Sequence, residues 1–460
     1  TAINMGEGVI IGVIDSGINS DHASFADIGG DGYDHTNPWG AGVYVGDCAG
    51  DFASMCNDKL IGVRSYASVT DNYDDTSVFG DTPPAKNGED YGGHGSHTAS
   101  TAGGNILKDV ALVARDTGKE QSDGIVNENF SFDQVSGVAP HANIVAYQIC
   151  NPGNSSTTGP SDTYSGCPTA AIIAALDDAV KDGVDVLNYS ISGGGNPWRS
   201  ATELGFLAAQ EAGIFSAVSA GNGGPDAFTT SKNAPWYTIV GASTHGRTLD
   251  TFAKFNGKDY LFIPGSGPVI EEAVTETPVA AINVDAANFT GCSAFPADAF
   301  KESMALISRG GCSFLDKVTN AATAGATSVV VYNNNAANED EAIAMGSLET
   351  TTIPAVMVSL KSGNAILADL ATDPTMELTI DPAIKVSNAK GDDMADFSSR
   401  GPNLNVADIM TPSVTAPGVS IYAAYSDEQY GHDVLGTDPA DFAFLQGTSM
   451  YLIRLALVPY

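Results

Sequence analysis

Basic residues are scarce in this sequence: 20 Lys and Arg stand against 55 Asp and Glu, a formal charge of −35. A chain of that sign repels nucleic acid and anionic membranes, whose recognition needs positive potential. Both kinds of partner are therefore excluded. No run approaches the roughly 18 uninterrupted apolar residues of a membrane span. The amino terminus also lacks the basic segment and apolar run of a secretion signal, so either the chain is cytosolic or processing has removed its leader. There is no CxxC, so neither a zinc ribbon nor a thioredoxin-like site is signalled. No repeat recurs at a fixed period.

What is present describes a globular protein. Hydrophobic residues make up 43%, charged residues 16%, and there are 51 glycines in 460 residues, which excludes disorder, collagen and coiled coil. The length asks for at least two domains, or one large α/β domain with an insertion. Six cysteines fall into close couples, Cys48 with Cys56, Cys150 with Cys167 and Cys292 with Cys312. Three short disulfide loops would leave none over, and six buried free thiols are the alternative. Oxidised pairs favour the exported, processed chain.

Val9 to Ile14 is a short run rich in β-branched residues that ends at Asp15-Ser16-Gly17. It predicts a strand buried on both faces with a loop at its carboxyl end. Ile144 to Ile149, Val186 to Ser190 and Ile214 to Val218 repeat the layout, each with Gly, Ser or Asn just beyond. Between the second and third of these four runs, Thr169 to Asp182 carries apolar residues at Ile172, Leu176 and Val180, and Gly183 follows as a stop, which predicts a helix and a parallel crossover. Polar groups thus collect where parallel strands end, the usual place for a site in an open α/β sheet. From Arg247 to Ala389 the texture changes: Val329 to Tyr332 and Ile353 to Val358 predict strands around an Ala-rich helix near Asp316 to Ala324. The expected organisation is a first domain segment over 1–246, an inserted domain over 247–389 and a second segment over 390–460.

An acyl-transfer site needs a hydroxyl activated by an imidazole, a carboxylate that holds the imidazole, and donors aimed at the developing oxyanion. Asp15 ends the first strand, His94 opens His94-Gly95-Ser96-His97, Ser449 stands in Gly447-Thr448-Ser449-Met450, and Asn222 follows Ala220-Gly221. Singly, each has an ordinary structural explanation as a cap, a turn or a packed histidine. Jointly they run in the chain order Asp, His, Ser, the order found in subtilisin.

On these motifs the chain resembles the subtilisin-like serine proteases, the subtilases, through most of its length. Val13-Ile14-Asp15-Ser16-Gly17-Ile18 is similar to the family's Asp box, Gly93 to Asn105 to its His box and Gly447 to Met450 to its Ser box, with Gly137-Val138-Ala139-Pro140 and Ala220-Gly221-Asn222 as further matches. The resemblance implies an α/β fold, a parallel sheet flanked by helices. It also implies Asp15, His94 and Ser449 as a triad and Asn222 as the oxyanion donor. His97 is read as structural. Substrate is expected as an extended strand along Tyr189 to Gly193. Ser190, Ile191 and Gly193 would wall the pocket with Ala220 and Gly221; Ser192 stands where the family usually has Gly and would narrow or polarise the entrance.

Cys292, Arg309 to Phe314, Lys317, Ala324-Gly325-Ala326 and the Val329 to Tyr332 strand carry a resemblance to a smaller α+β protease-associated domain. With the Cys150 and Cys167 pair, this is similar to the branch that includes cucumisin-like and lactocepin-like enzymes. The implied protein is a secreted endopeptidase that acts on protein or peptide substrates, is held by an inhibitory pro-segment before maturation, and needs no cofactor for its chemistry. A non-catalytic, degenerate subtilase that only binds polypeptide is the alternative. The acidic segment Asp71-Asn72-Tyr73-Asp74-Asp75 suits a structural calcium ion by charge but lacks the ligand spacing of a defined calcium loop. Gly6-Glu7-Gly8 precedes its strand, so it is not a phosphate cradle. Asn154, Asn188 and Asn288 each begin an N-x-S/T triplet. The acidity, with many glycines, is compatible with a salty or cold habitat.

The tail departs from the family. After Met450 the family continues with small residues and a Pro-His pair, whereas this chain has Tyr451 to Tyr460, and bulky residues beside the nucleophile would overpack its helix by about 1–3 kcal/mol. Read in the frame that starts at the third base, the same stretch can encode Ser or Pro, His, Ser or Thr, Ala, Gly, Ala, a free position, Ala, Leu. The expectation is a frameshift, with the catalytic domain truncated after it.

Overall fold

The structure is a computed structural model that describes residues 4–74, 84–115, 124–152, 164–191, 193–265, 267–343, 345–346, 348, 350–403, 405–426 and 442–450. Ser192, Asp75, Asn154 and the 451–460 tail lie outside the described residues. The chain divides into two compact units, Thr1–Gly246 with Ala389–Tyr460, and Arg247–Asn388.

The first unit is built on eight strands: β1 (Ile10–Asp15), β2 (Val45–Gly46), β3 (Leu60–Arg64), β4 (Asn143–Gln148), β5 (Val186–Tyr189), β6 (Phe215–Ser219), β7 (Thr238–Ser243) and β8 (Val414–Pro417). They lie in the order β2-β3-β4-β1-β5-β6-β7-β8, and every pairing is parallel. The chain lays strands to one side of β1 through β4 and to the other side from β5 onward. That reversal opens a crevice at the carboxyl ends of the central strands. Both faces of the sheet are covered, which is why these strands read as unbroken apolar runs.

Three helices do the covering: α1 (His94–Gly103), α2 (Thr169–Asp182) and α3 (Ala201–Glu211). On one face Ile10 and Ile14 of β1 join Ile172, Ala175, Leu176 and Ala179 of α2 and Phe206 and Ala209 of α3. On the other, Ile11 and Val13 join Ala99 and Ala102 of α1. Gly183 ends α2 with φ +70° and donates its N–H to Ala179 at 3.1 Å, as the sequence predicts. Val180 does not belong to the buried stripe, being 39% exposed. The stripe follows positions 172, 175, 176 and 179, because alanines allow close approach where the sequence offers no larger apolar side chain.

All six cysteines are paired, Cys48–Cys56, Cys150–Cys167 and Cys292–Cys312. Asn188 and Asn288 are buried, so neither triplet presents a glycan acceptor. Among the described residues no helix is long and apolar enough to cross a membrane.

In the second unit an eight-stranded mixed sheet has an antiparallel half, where Arg247–Phe255 pairs with Lys258–Pro264 and with Leu378–Asn388. Its parallel half runs Ala355–Val358, Ala326–Tyr332, Ser303–Ser308, Pro278–Ala280. Helices Phe314–Thr323 and Leu360–Thr372 pack on opposite faces, Val318 and Ala321 in one core cluster and Ile366 and Leu370 in the other. Each begins at a serine whose hydroxyl accepts a backbone N–H three residues on, Ser313 from Asp316 and Ser359 from Ser362.

Candidate active site

Asp15 is the last residue of β1. Strand alternation puts its side chain on the face of Ile11 and Val13, the face that packs on α1. The carboxylate is wholly buried. Its Oδ1 lies 2.7 Å from His94 Nδ1 and accepts the Ser16 N–H at 2.8 Å, and its Oδ2 accepts the Thr98 hydroxyl at 3.2 Å. A carboxylate at Nδ1 keeps the proton on that nitrogen and makes Nε2 the basic one. Thr98 stands four residues after His94, on the same face of α1, so one helical turn supplies two of the partners of Asp15.

The small residues of the His box have a steric cause. Gly93, the N-cap of α1, has φ +79° and packs under the Tyr425 ring, and a Cβ on Gly95 would collide with the backbone of Gly17. From Gly95 to Gly103 every residue of α1 is buried, and all but His97 are small. His97 lies wholly inside, with Nε2 3.0 Å from the Ile421 carbonyl and 3.2 Å from that of Ala443. It thereby ties α1 to the antiparallel pair Ile421–Ala424 and Phe442–Leu445, a structural role.

Ser449 follows the second of those strands. Its hydroxyl donates to the Ser190 carbonyl at 2.9 Å, and the Ser190 hydroxyl donates in return to the Ser449 carbonyl at 3.0 Å. Asn222 lies just beyond β6. Its Oδ1 accepts both the backbone N–H and the hydroxyl of Thr448 at 3.0 Å, and because a backbone N–H can only be met by the oxygen, the amide is fixed with its NH2 turned away from Thr448. Gly221 donates its N–H to the Thr448 hydroxyl at 3.1 Å. His94, Asn222 and Ser449 line one cavity of about 380 Å³, with Tyr425, Leu445 and Met450 as apolar neighbours.

Of the remaining pocket residues, Ser190 is buried against Ser449, Ile191 and Ala220 belong to the core, and Gly193 has φ +115°. Ser192 is outside the described residues. Asp71 and Asp74 face the Lys86 ammonium at 3.8 and 2.7 Å, and among the described residues no group of three or more His, Cys, Asp or Glu is placed to hold a metal.

Sequence reasoning missed a buried polar layer beneath the cleft. Lys232 is enclosed, donating to the Ser219 hydroxyl at 2.8 Å and toward the Tyr189 carbonyl at 3.4 Å, and its amine lies 4.6 Å from the centre of the Tyr189 ring. Desolvation pushes the amine down to about 7, against the attraction of Glu203 and Asp15. Burial likewise raises the Glu203 carboxyl, partly offset by the Tyr237 hydroxyl 2.6 Å away. It missed Asp90 as well, which accepts the N–H groups of Gly92, Gly93 and Ser96. The available signal was an Asp followed by a Gly-Gly turn just before a helix.

The profile of the subtilase family matches residues 6–450. The chain belongs to the subtilase family. Among its relatives, subtilisin-like protease SBT1.7 of Arabidopsis thaliana is 31% identical over 452 residues, which are 96% of this chain and 54% of that protein. Subtilisin-like protease SBT5.4 of the same plant is 32% identical over 463 residues, 97% of this chain and 53% of its own length. This subtilase therefore spans about half the length of the curated relatives it matches. The solved structure of the psychrophilic subtilisin-like protease Apa1 from the Antarctic psychrotroph Pseudoalteromonas sp. AS-11 aligns with 98% of this chain and 82% of its own, at 16% identity and a TM-score of 0.37. Membership in the family rests on the sequence matches.

Proposed function

We propose that this subtilase is a secreted serine endopeptidase that hydrolyses peptide bonds through an acyl-enzyme on Ser449. The observation that carries the reading is the 2.7 Å contact of buried Asp15 with His94, on a ring that lines one cavity with Ser449 and Asn222. The Ser449 hydroxyl turns from the Ser190 carbonyl and gives its proton to His94 Nε2 as Oγ attacks the substrate carbonyl carbon. The negative charge on that carbonyl oxygen is met by the Asn222 NH2 and the backbone N–H of Ser449. One such donor is worth about 10²–10³ in turnover, a magnitude established on subtilisin itself. The imidazolium, held by the Asp15 carboxylate, protonates the leaving amine, and water deacylates Ser449 by the reverse path.

Polypeptide substrate would pair its main chain with Tyr189 to Gly193, beside Ala220 and Gly221. The disulfides favour export, and a pro-segment would inhibit the cleft before maturation. The unit over Arg247–Asn388 is read as a protease-associated domain that biases substrate access. A structural calcium ion would be incidental to the chemistry.

A degenerate, polypeptide-binding subtilase is the second reading, favoured by the Ser449 hydroxyl being given to Ser190. A fluorophosphonate probe separates the two. Labelling of the full-length chain that is lost in Ser449→Ala is the expected outcome; a folded chain that takes no label supports the binder.

A further inference from the structure

Asp90 lies four residues before His94, is wholly buried and touches neither the cavity nor Ser449. Its Oδ1 accepts the Ser16 hydroxyl at 2.9 Å and the N–H groups of Gly92 and Gly93 at 3.1 and 2.9 Å. Its Oδ2 accepts the N–H and the hydroxyl of Ser96, both at 2.7 Å. Each hydroxyl also accepts a backbone N–H, Ser16 Oγ that of Gly95 at 2.8 Å and Ser96 Oγ that of Asn19 at 2.9 Å, so each joins Asp90 to a further segment of backbone. Five donors converge on one carboxylate.

The donors flank the candidate general base on every side. Gly92 and Gly93 lead into His94, and Ser96 follows it. Ser16, which carries the Gly95 contact, is the residue next to Asp15. We propose that Asp90 is a positioning residue for His94: it locks the Asp15 turn and the first turn of α1 in one register, and it sets a second buried carboxylate against the backbone on either side of His94. The proposal rests on reading His94 as the general base. Among the described residues the charged and titratable groups on the elements packed against His94 include Asp15 at the end of β1, Asp90 on the approach loop, His97 in α1 and Tyr425 against Gly93, with Lys232 acting through Asp15.

Asp90→Asn keeps the shape, removes the charge and turns an NH2 toward existing donors. The experiment uses the full-length chain with ¹³C-labelled histidine, the His94 resonance being assigned with His94→Gln. The His94 titration midpoint should fall by at least 0.5 pH unit in Asp90→Asn, because an anion near an imidazole favours its protonated form. Fluorophosphonate labelling near pH 7 should slow by about 10-fold or more, as loss of base alignment predicts. Ser16→Ala cuts the link to the Asp15 turn but keeps the charge; it should slow labelling with the midpoint unmoved. An unmoved midpoint in folded Asp90→Asn overturns the proposal, and so does an unchanged labelling rate in Ser16→Ala, which decides the matter if Asp90→Asn does not fold. If the wild-type chain takes no label, the proteolytic reading fails, while the titration still tests Asp90.

Discussion

Lys232 illustrates a residue whose consequence is thermodynamic. Its amine titrates at about 7 in the fold against 10.5 for an ordinary lysine. Between those values the unfolded chain holds a proton that the folded chain lacks, so stability rises with pH across that window; below about 7 the buried ammonium is charged and its full penalty applies. In Lys232→Met this contribution disappears. The rise in unfolding free energy between pH 7.5 and 9.5, read from urea titrations, should be flatter than in wild type by about 1.4 kcal/mol per pH unit. Parallel pH dependences would refute the assignment. Lys59, also buried and shifted downward, contributes equally to both proteins and cancels in the comparison. Lys232 was not legible in the sequence, because a single Lys in a loop gives no local signal and its partner Tyr189 lies 43 positions away. Asp90 was legible only as a turn residue before the Gly-Gly pair; its link to Ser16, 74 positions away, was not. Asp15, His94, Asn222 and Ser449 were legible as candidates because each sits in a run of small residues whose close packing constrains the neighbours as well.

At the scale of elements, type and extent were readable wherever burial was complete. The run Val9 to Ile14 is β1 at Ile10–Asp15, and the helix expected over Thr169 to Asp182 is α2 with the same bounds. Which face of α2 is buried was misread at Val180, because alanine carries little weight in an apolar pattern yet makes the closest helix contacts. Position in space was less legible still: β4 and β5 follow one another around α2 but pair with opposite sides of β1. The Cys150–Cys167 bridge closes a separation of 17 residues just before α2. Replacing both by Ala should cost about 3 kcal/mol if loop closure in the unfolded chain dominates. Chemical denaturation of the double variant measures this, and a loss well under 1 kcal/mol would place the value of the bridge elsewhere.

For the whole molecule the governing quantity is a charge of −35. Several lysines are already spent on carboxylates, as in Lys254 with Asp381 and Lys361 with Asp340, leaving most of the acid excess exposed to mutual repulsion. Raising ionic strength from 0.1 to 1 M shortens the screening length from about 10 to about 3 Å. The melting temperature should therefore climb by several degrees over that range of sodium chloride. A flat or falling curve would show that ion pairs such as Arg64–Asp182, at 2.6 Å, outweigh the repulsion. The chain's route has a further effect, on timing. Asn222 meets Thr448 across 226 residues, with the entire second unit spelled out in between. At a translation rate of ~5–20 residues per second, roughly ten to forty-five seconds separate the two on the ribosome. Throughout that interval the nascent polypeptide carries Asp15, His94 and Asn222 without Ser449, so on the proposed proteolytic reading the nucleophile is the last part of the site to be made.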